Sequence, residues 1–279
     1  MAAIDLHSHS TASDGALAPA ELVSRAHAQA VRVLALTDHD TTAGLAEAAQ
    51  AAARHGIALV PGIELSAQWK GRELHVVGLG IDPEAQPLQA LIAELAALRA
   101  DRAERMAASL ARVGYDDALE GAYAQADGGV PTRTHFARYL VERGAAEHVG
   151  AVFKRFLVRG RPGYANTEWP DLERAVAALR AAGGLAVLAH PHAYKWTGAW
   201  ARRIIEAFVA AGGEGIEVAC GTSTPQSIQQ WSGYVRRYGL LASVGSDFHA
   251  PGQFVELGRM PALPQELPPI WPRLGIELA

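Results

Sequence analysis

The chain has 279 residues, 49% hydrophobic and 19% charged, with 25 basic against 29 acidic side chains and a net charge of −4. That length suits one large α/β barrel, and the acidic balance argues against a surface that coats nucleic acid by bulk positive charge, while leaving room for local arginine clusters around a small anion. The single cysteine, Cys220, excludes an internal disulfide and has no nucleophile motif around it, and no signal-peptide pattern or apolar run of about 18 residues is present. A cytoplasmic protein with no membrane partner is expected.

In chain order the pattern alternates strand and helix. Residues 4–9 read as a short strand, 19–29 as a helix with Pro19 in its first turn, 32–37 as a buried strand and 42–55 as an alanine-rich helix closed by Gly56. Strands follow at 57–65 and 73–81, then one long helical run at 87–113 ended by Gly114. The rhythm breaks from 115 to about 168, where short helical pieces at 135–143 and 148–158 sit among turns and arginines. It returns with helices at 171–182, 200–211 and 225–238 and strands at 185–190, 215–219 and 240–245, Asp171 being placed as a helix cap. The proline-rich tail from Ala262 is expected to wrap the surface. Repeated βα units imply a parallel sheet with helices outside, and about seven strands favour a barrel over an open sheet.

Seven of the 11 histidines, His7, His9, His39, His75, His190, His192 and His249, lie on or just after these strands. In an α/β barrel the strand ends build the active site, so residues far apart in sequence would converge. His7-Ser8-His9 is an H-x-H whose two imidazoles share one strand face, and Asp14 follows in a turn with Gly15. Thr37-Asp38-His39-Asp40, Pro61-Gly62-Ile63-Glu64, Ala189-His190-Pro191-His192 and Gly245-Ser246-Asp247-Phe248-His249 end further strands. Each motif alone is weak. Buried together without partners, these groups would cost several kcal/mol each, on the order of the price of burying an unpaired polar group, and metal coordination removes that cost. Imidazole and carboxylate donors without thiolate suit Mn, Fe or Zn.

The set H-x-H, T-D-H-D, P-G-x-E, A-H-P and G-S-D-x-H, in this order and over essentially the whole chain, resembles the PHP (polymerase and histidinol phosphatase) superfamily. The resemblance implies a distorted (β/α)7 TIM-like barrel at 1–98 and 168–279, carrying three divalent metals, expected to be Mn with Fe or Zn as alternatives, and an inserted, mainly helical lid at 99–167. It implies a first metal on His7, His9, Glu64 and Asp247, a second on Asp14, His39 and His249, and a third on Glu64, His75 and His190, with Glu64 bridging. Two close divalent ions activate a water and neutralise phosphoryl charge, so hydrolysis of a phosphate ester follows. Asp247 is counted with His192 and Asp40 as a catalytic residue. His192 either protonates the leaving oxygen or makes a plain structural hydrogen bond, and Asp40 either orients a ligand histidine or does the same.

Within the superfamily, R-x-x-R in the long helix, T-R-x-H-x-A-R and A-G-G-x-A-V-L-A-H-P resemble a stand-alone bacterial group that removes the 3′-phosphate from nucleoside 3′,5′-bisphosphates. Related members, of the RNase AM type, trim RNA from a 5′-monophosphate end. By that resemblance Arg102, Arg105, Arg133 and His135 grip the 5′-phosphate, since arginine forks bind phosphate through paired hydrogen bonds. The expected partner is a small nucleotide or an RNA 5′ end, with no stable DNA partner. Histidinol-phosphate phosphatase is the enzyme alternative, and a non-catalytic metal-binding regulatory module is the alternative of another class.

Overall fold

The computed structural model describes residues 3–252 and 254–277. Seven strands, β1 (Ala3–Asp5), β2 (Val31–Leu36), β3 (Ala58–Trp69), β4 (Arg72–Leu79), β5 (Leu185–Leu188), β6 (Gly215–Cys220) and β7 (Leu241–Gly245), pair in chain order. The first strand also meets the last. Leu6 N donates to Val244 O at 3.1 Å and Asp247 N to His7 O at 2.9 Å, which nearly closes the sheet into a barrel. Ile4, Val33, Val60, Val77, Val187, Ala219 and Val244, one from each strand, meet in a buried apolar cluster. Alternation along each strand selects them, because successive side chains point to opposite faces.

The described helices are α1 (Pro19–Ala28), α2 (Leu45–His55), α3 (Gln86–Ala111), α4 (Ala118–Gln125), α5 (Arg133–Glu142), α6 (Val149–Val152), α7 (Leu172–Ala181), α8 (Gly198–Ala210) and α9 (Pro225–Tyr238). None is long and apolar enough to cross a membrane among the described residues. The chain divides into two compact units, Met1–Leu91 with Pro170–Ala279, and Ile92–Trp169. The first holds the barrel. The second has its own core, in which Leu110, Phe136, Leu140, Val152 and Leu157 are buried together. Gly121 fits there because an added Cβ would strike the Tyr139 ring.

Three expectations need correction. The sheet is not wholly parallel, since β4 runs antiparallel to both β3 and β5. Only Lys70 and Gly71 join β3 to β4, both at positive φ (49° and 72°), and a two-residue turn of that kind makes a hairpin with no room for a crossover helix. The reversal brings the early residue His75 level with Ser66, close to Glu64. The tail does more than wrap the surface: Ile270 N donates to Ala242 O at 3.0 Å, and the Ile270 side chain is wholly buried in the barrel cluster. Asp171 stands at the N-cap of α7 but makes no side-chain cap hydrogen bond.

After β7 the chain is tied to α1 by Arg25, whose Nε lies 3.0 Å from Glu256 Oε1 while its Nη2 lies 2.5 Å from Oε2. Hydrogen bonding from Arg25 holds the Glu256 carboxyl below its usual range, against the opposing effect of burial. A depressed carboxylate contributes stability that is full above its unfolded value and lost as pH falls through the folded one. Glu256→Gln should therefore cost about 1 kcal/mol at neutral pH, and the loss should be smaller at about pH 3, below the ordinary glutamate value. Urea unfolding of both proteins at the two pH values checks this, and an equal loss at both would refute it.

Candidate metal centre

Glu64, on β3, is completely buried and faces five imidazoles. Its Oε2 lies 3.3 Å from His7 Nε2, 3.3 Å from His9 Nε2 and 3.0 Å from His39 Nδ1. Its Oε1 lies 2.9 Å from His75 Nδ1 and 2.8 Å from His190 Nε2. Asp247 Oδ1 approaches His7 Nε2 at 3.6 Å and His9 Nε2 at 3.3 Å, and Asp14 Oδ1 lies 3.3 Å from His249 Nε2. Ligand atoms of His9, Asp14, His39 and His249 form one group able to hold an ion. Those of His7, His9 and Asp247, of His7, Glu64 and His190, and of His39, Glu64 and His75 form three more. All nine residues singled out as metal ligands therefore meet at one end of the barrel. The grouping differs from the expected partition: His9 joins Asp14, His39 and His249, Glu64 falls outside the set of His7, His9 and Asp247, and His75 and His190 reach Glu64 in two separate sets, with His39 and with His7.

The local backbone explains how. His7 and His9 share a face after β1, as alternate residues of an extended segment do. Asp247 and His190 take positive φ values of 58° and 26°, uncommon for side-chain-bearing residues and typical of constrained functional positions.

The electrostatics describe a site short of cations. Burial would raise the pKa of Glu64, but His39, His75 and His7 outweigh it and hold the carboxyl well below its usual range. The same balance acts on Asp14, where His249 and His39 overcome burial, and on Asp247, where His7 and His249 do. Burial would lower His7, yet Glu217, Glu64 and Asp247 lift it well above its ordinary value, and Asp14 and Asp247 push His249 up to about 10. His39 moves the other way, well down, with burial as the main cause. Protons are a poor solution for such a cluster. Among the described residues His7 Nε2, both nitrogens of His9, His39 Nδ1, Glu64 Oε2 and His75 Nδ1 are buried with no properly formed hydrogen bond. Orphaned atoms of this kind are rare in native folds, and divalent cations would engage them together. The donor set fits.

A supporting layer was not legible among the motifs. Glu217, on β6, places Oε1 3.1 Å and Oε2 3.3 Å from His7 Nδ1, and Oε2 accepts the His190 amide at 2.6 Å. A carboxylate on the far nitrogen of a ligand histidine sets its ring orientation and raises its basicity. Gly245 makes room, since a Cβ there would lie 2.2 Å from His7 Cβ and 2.6 Å from Glu217 Oε1. The only signal in the sequence was one acid inside the apolar run 215–220. Asp38 accepts Ser10 N at 2.8 Å, Ser10 Oγ at 2.6 Å and Ser13 Oγ at 2.6 Å, holding the loop between His9 and Asp14. Asp5 accepts Ser246 N at 2.8 Å and Gly258 N at 2.9 Å, tying the β1 end to the β7 end.

The other predicted residues fall as follows. Asp40 Oδ1 accepts the Ser66 amide at 2.6 Å. His192 joins none of the ion-holding groups; its Nε2 lies 2.8 Å from Thr222 Oγ1, and burial lowers its pKa. Burial raises the thiol pKa of Cys220, in keeping with an inert core residue. Arg102, Arg105, Arg133 and His135 lie in the second unit. Arg102 is buried with its guanidinium 5.3 Å from the Trp169 ring centre, and Arg105 pairs with Asp101 at 2.7 Å. Arg133 opens α5, and the buried His135 caps the same helix, its Nδ1 accepting the Thr132 amide at 3.0 Å.

Comparison with known proteins places this geometry. The model of the PHP domain matches residues 5–184. The chain belongs to the PHP domain family. A 5′-3′ exoribonuclease of Haemophilus influenzae is 46% identical over 268 residues, 96% of this chain and 97% of its own length. A 3′,5′-nucleoside bisphosphate phosphatase of Chromobacterium violaceum is 46% identical over 280 residues, 100% of this chain and 98% of its own. The solved structure of a Chromobacterium violaceum amidohydrolase, with sulfate bound and no metal, superposes with a TM-score of 0.95 at 46% identity, covering 98% of this chain and 96% of that one.

If Glu217 orients a ligand histidine, Glu217→Gln should fold normally and lose about tenfold to a hundredfold in Mn²⁺ affinity. Calorimetric titration of the metal-stripped protein measures it, and wild-type affinity would exclude the role.

Proposed function

We propose that this PHP-domain protein is a metal-dependent phosphoesterase that removes the 3′-phosphate from nucleoside 3′,5′-bisphosphates, and that it also trims short 5′-phosphorylated RNA from the 5′ end. The observation that carries the reading is the buried Glu64 carboxylate with its surrounding imidazoles and their orphaned lone pairs. The phosphatase and exoribonuclease relatives, each at 46% identity over nearly the whole chain, support the substrate class.

Three ions are proposed, Mn first, with Fe or Zn suited to the same donors. His7, His9, Glu64 and Asp247 would hold the first, Asp14, His39 and His249 the second, and Glu64, His75 and His190 the third. Bound divalent ions supply a nucleophile at neutral pH and neutralise charge on the phosphoryl group. The protein's own part is positional. Glu64 bridges the donor groups, Glu217 sets the His7 ring, and Asp38 and Asp5 hold the loops that carry His9, Asp14 and Asp247. Arg102, Arg105, Arg133 and His135 are proposed to grip the 5′-phosphate, with Arg133 making a charge-assisted contact. A cytoplasmic location suits a nucleotide or RNA substrate and a lone buried thiol.

Metal-stripped protein restored with Mn²⁺ should release phosphate from a 3′,5′-bisphosphate far faster than from a 3′-monophosphate or histidinol phosphate, and chelator or Asp247→Asn should abolish turnover. Preference for histidinol phosphate would replace the substrate assignment, and no turnover of any substrate would favour a regulatory metal-binding module. Arg133→Ala should raise KM for the bisphosphate by about tenfold to a hundredfold with kcat little changed, as loss of one charge-assisted contact made equally in ground and transition states requires. An unchanged KM would remove Arg133 from the clamp.

A further inference from the structure

His75 and His190 both reach Oε1 of Glu64, at 2.9 and 2.8 Å, and their rings meet edge to face at 5.3 Å. One is carried by β4 and the other by the chain that leaves β5, so the gap between them depends on how those two segments are joined. Strand pairing runs out at this point. Val76 lies opposite Leu188, and Ala189 N still donates to His75 O at 3.2 Å. In a regular antiparallel pair the facing carbonyl would take the His75 amide in return. The chain instead turns away at His190, whose φ is 26°, and winds through a short 3-10 turn, Pro191–Tyr194, to Lys195 at φ 51°. That turn brings Tyr194 back to β4. Its hydroxyl oxygen accepts the His75 amide at 2.8 Å, supplying the partner that an N–H away from water needs.

Tyr194 also touches the second ligand, its ring lying 5.4 Å from that of His190. One side chain therefore holds the backbone under His75 and packs on the imidazole of His190. The phenol is itself braced. Trp196 stacks on it at 4.5 Å and 17°, and the buried Trp231 meets Trp196 at 6.4 Å, close to edge on. Rings packed in series have few alternative positions, so the hydroxyl stays where the His75 amide needs it.

We infer that Tyr194 is a positioning residue for the metal centre: it sets the separation of His75 and His190, and through it the affinity for the ions those two histidines hold. A group that orients ligands from outside the coordination sphere typically contributes tenfold to a hundredfold in metal affinity. The effect is local. Among the described residues Tyr194 makes no hydrogen bond or ring contact with His9, Asp14, His39 or His249, the group that forms a separate ion-holding set. The inference rests on the proposed binding of divalent ions and is independent of the substrate.

The test is metal occupancy resolved position by position. Crystals of the metal-stripped wild type and of Tyr194→Phe, which keeps the ring and removes the hydroxyl, are soaked in graded Mn²⁺, and anomalous scattering reports how far each position fills. In the variant, the concentration that half-fills the positions served by His75 and His190 should rise about tenfold or more. The position on Asp14, His39 and His249 should fill as in the wild type. Calorimetric titration in solution should show the same loss confined to part of the binding. Trp196→Leu removes the brace and leaves the hydroxyl; it should give a smaller loss with the same selectivity, and it decides the question if Tyr194→Phe does not fold. Wild-type filling of every position would overturn the role of Tyr194. An equal loss at every position would overturn it too, because that is what general loosening of the fold produces. Absence of any ion at His75 and His190 in the wild type would sink the three-ion reading together with the inference. Failure to hydrolyse the 3′,5′-bisphosphate would sink the substrate assignment alone, since the occupancies still decide the role of Tyr194.

Discussion

A carboxylate with no solvent around it cannot stand alone, and Glu64 is such a group. Its two oxygens face His7, His9 and His39 on one side and His75 and His190 on the other. The imidazoles hold it ionised, and they in turn crowd one another too closely for protons to satisfy all of them. Much of the barrel's irregularity follows from that requirement. β3 is 12 residues long and passes the cluster near its middle, and β4 turns back immediately so that His75 arrives beside Ser66.

Around the cluster a second set of buried acids holds loops rather than ions. Asp5 joins the ends of β1 and β7, Asp38 ties down the turn leading to Asp14, and Glu217 grips His7 and the His190 backbone together. Burial raises the pKa of Asp5 and of Asp38 despite the amides and hydroxyls aimed at them, whereas Glu64, Asp14 and Asp247 are pulled down by histidines. The two populations differ in their partners: Glu64, Asp14 and Asp247 meet imidazoles directly, while Asp5 and Asp38 accept hydrogen bonds from backbone amides and serine hydroxyls, with His9 also acting on Asp38. Glu217 bridges them, touching an imidazole with one side and an amide with the other.

The second unit is organised on different terms. Its core is leucine, phenylalanine and alanine from several helices, and its arginines are braced locally, Arg102 against Trp169 and Arg105 against Asp101. The ring nitrogen of His135 accepts the Thr132 amide and closes the first turn of α5. On the barrel unit Arg72 and Arg203 are stacked on the Trp200 ring.

By itself the sequence determined the strand and helix alternation, the barrel class and the nine His and carboxylate positions. Strand-end motifs are local, and an H-x-H on an extended segment places both side chains on one face. Tertiary structure decided what depends on pairing across long separations. Whether β4 runs parallel or antiparallel hinges on two residues, Lys70 and Gly71, whose positive φ values only the paired strands reveal. Ile270 reads as part of a surface tail until its amide meets Ala242. Glu217 carries no motif, because its role exists only where β6 passes within hydrogen-bonding distance of His7, 210 residues away in the chain.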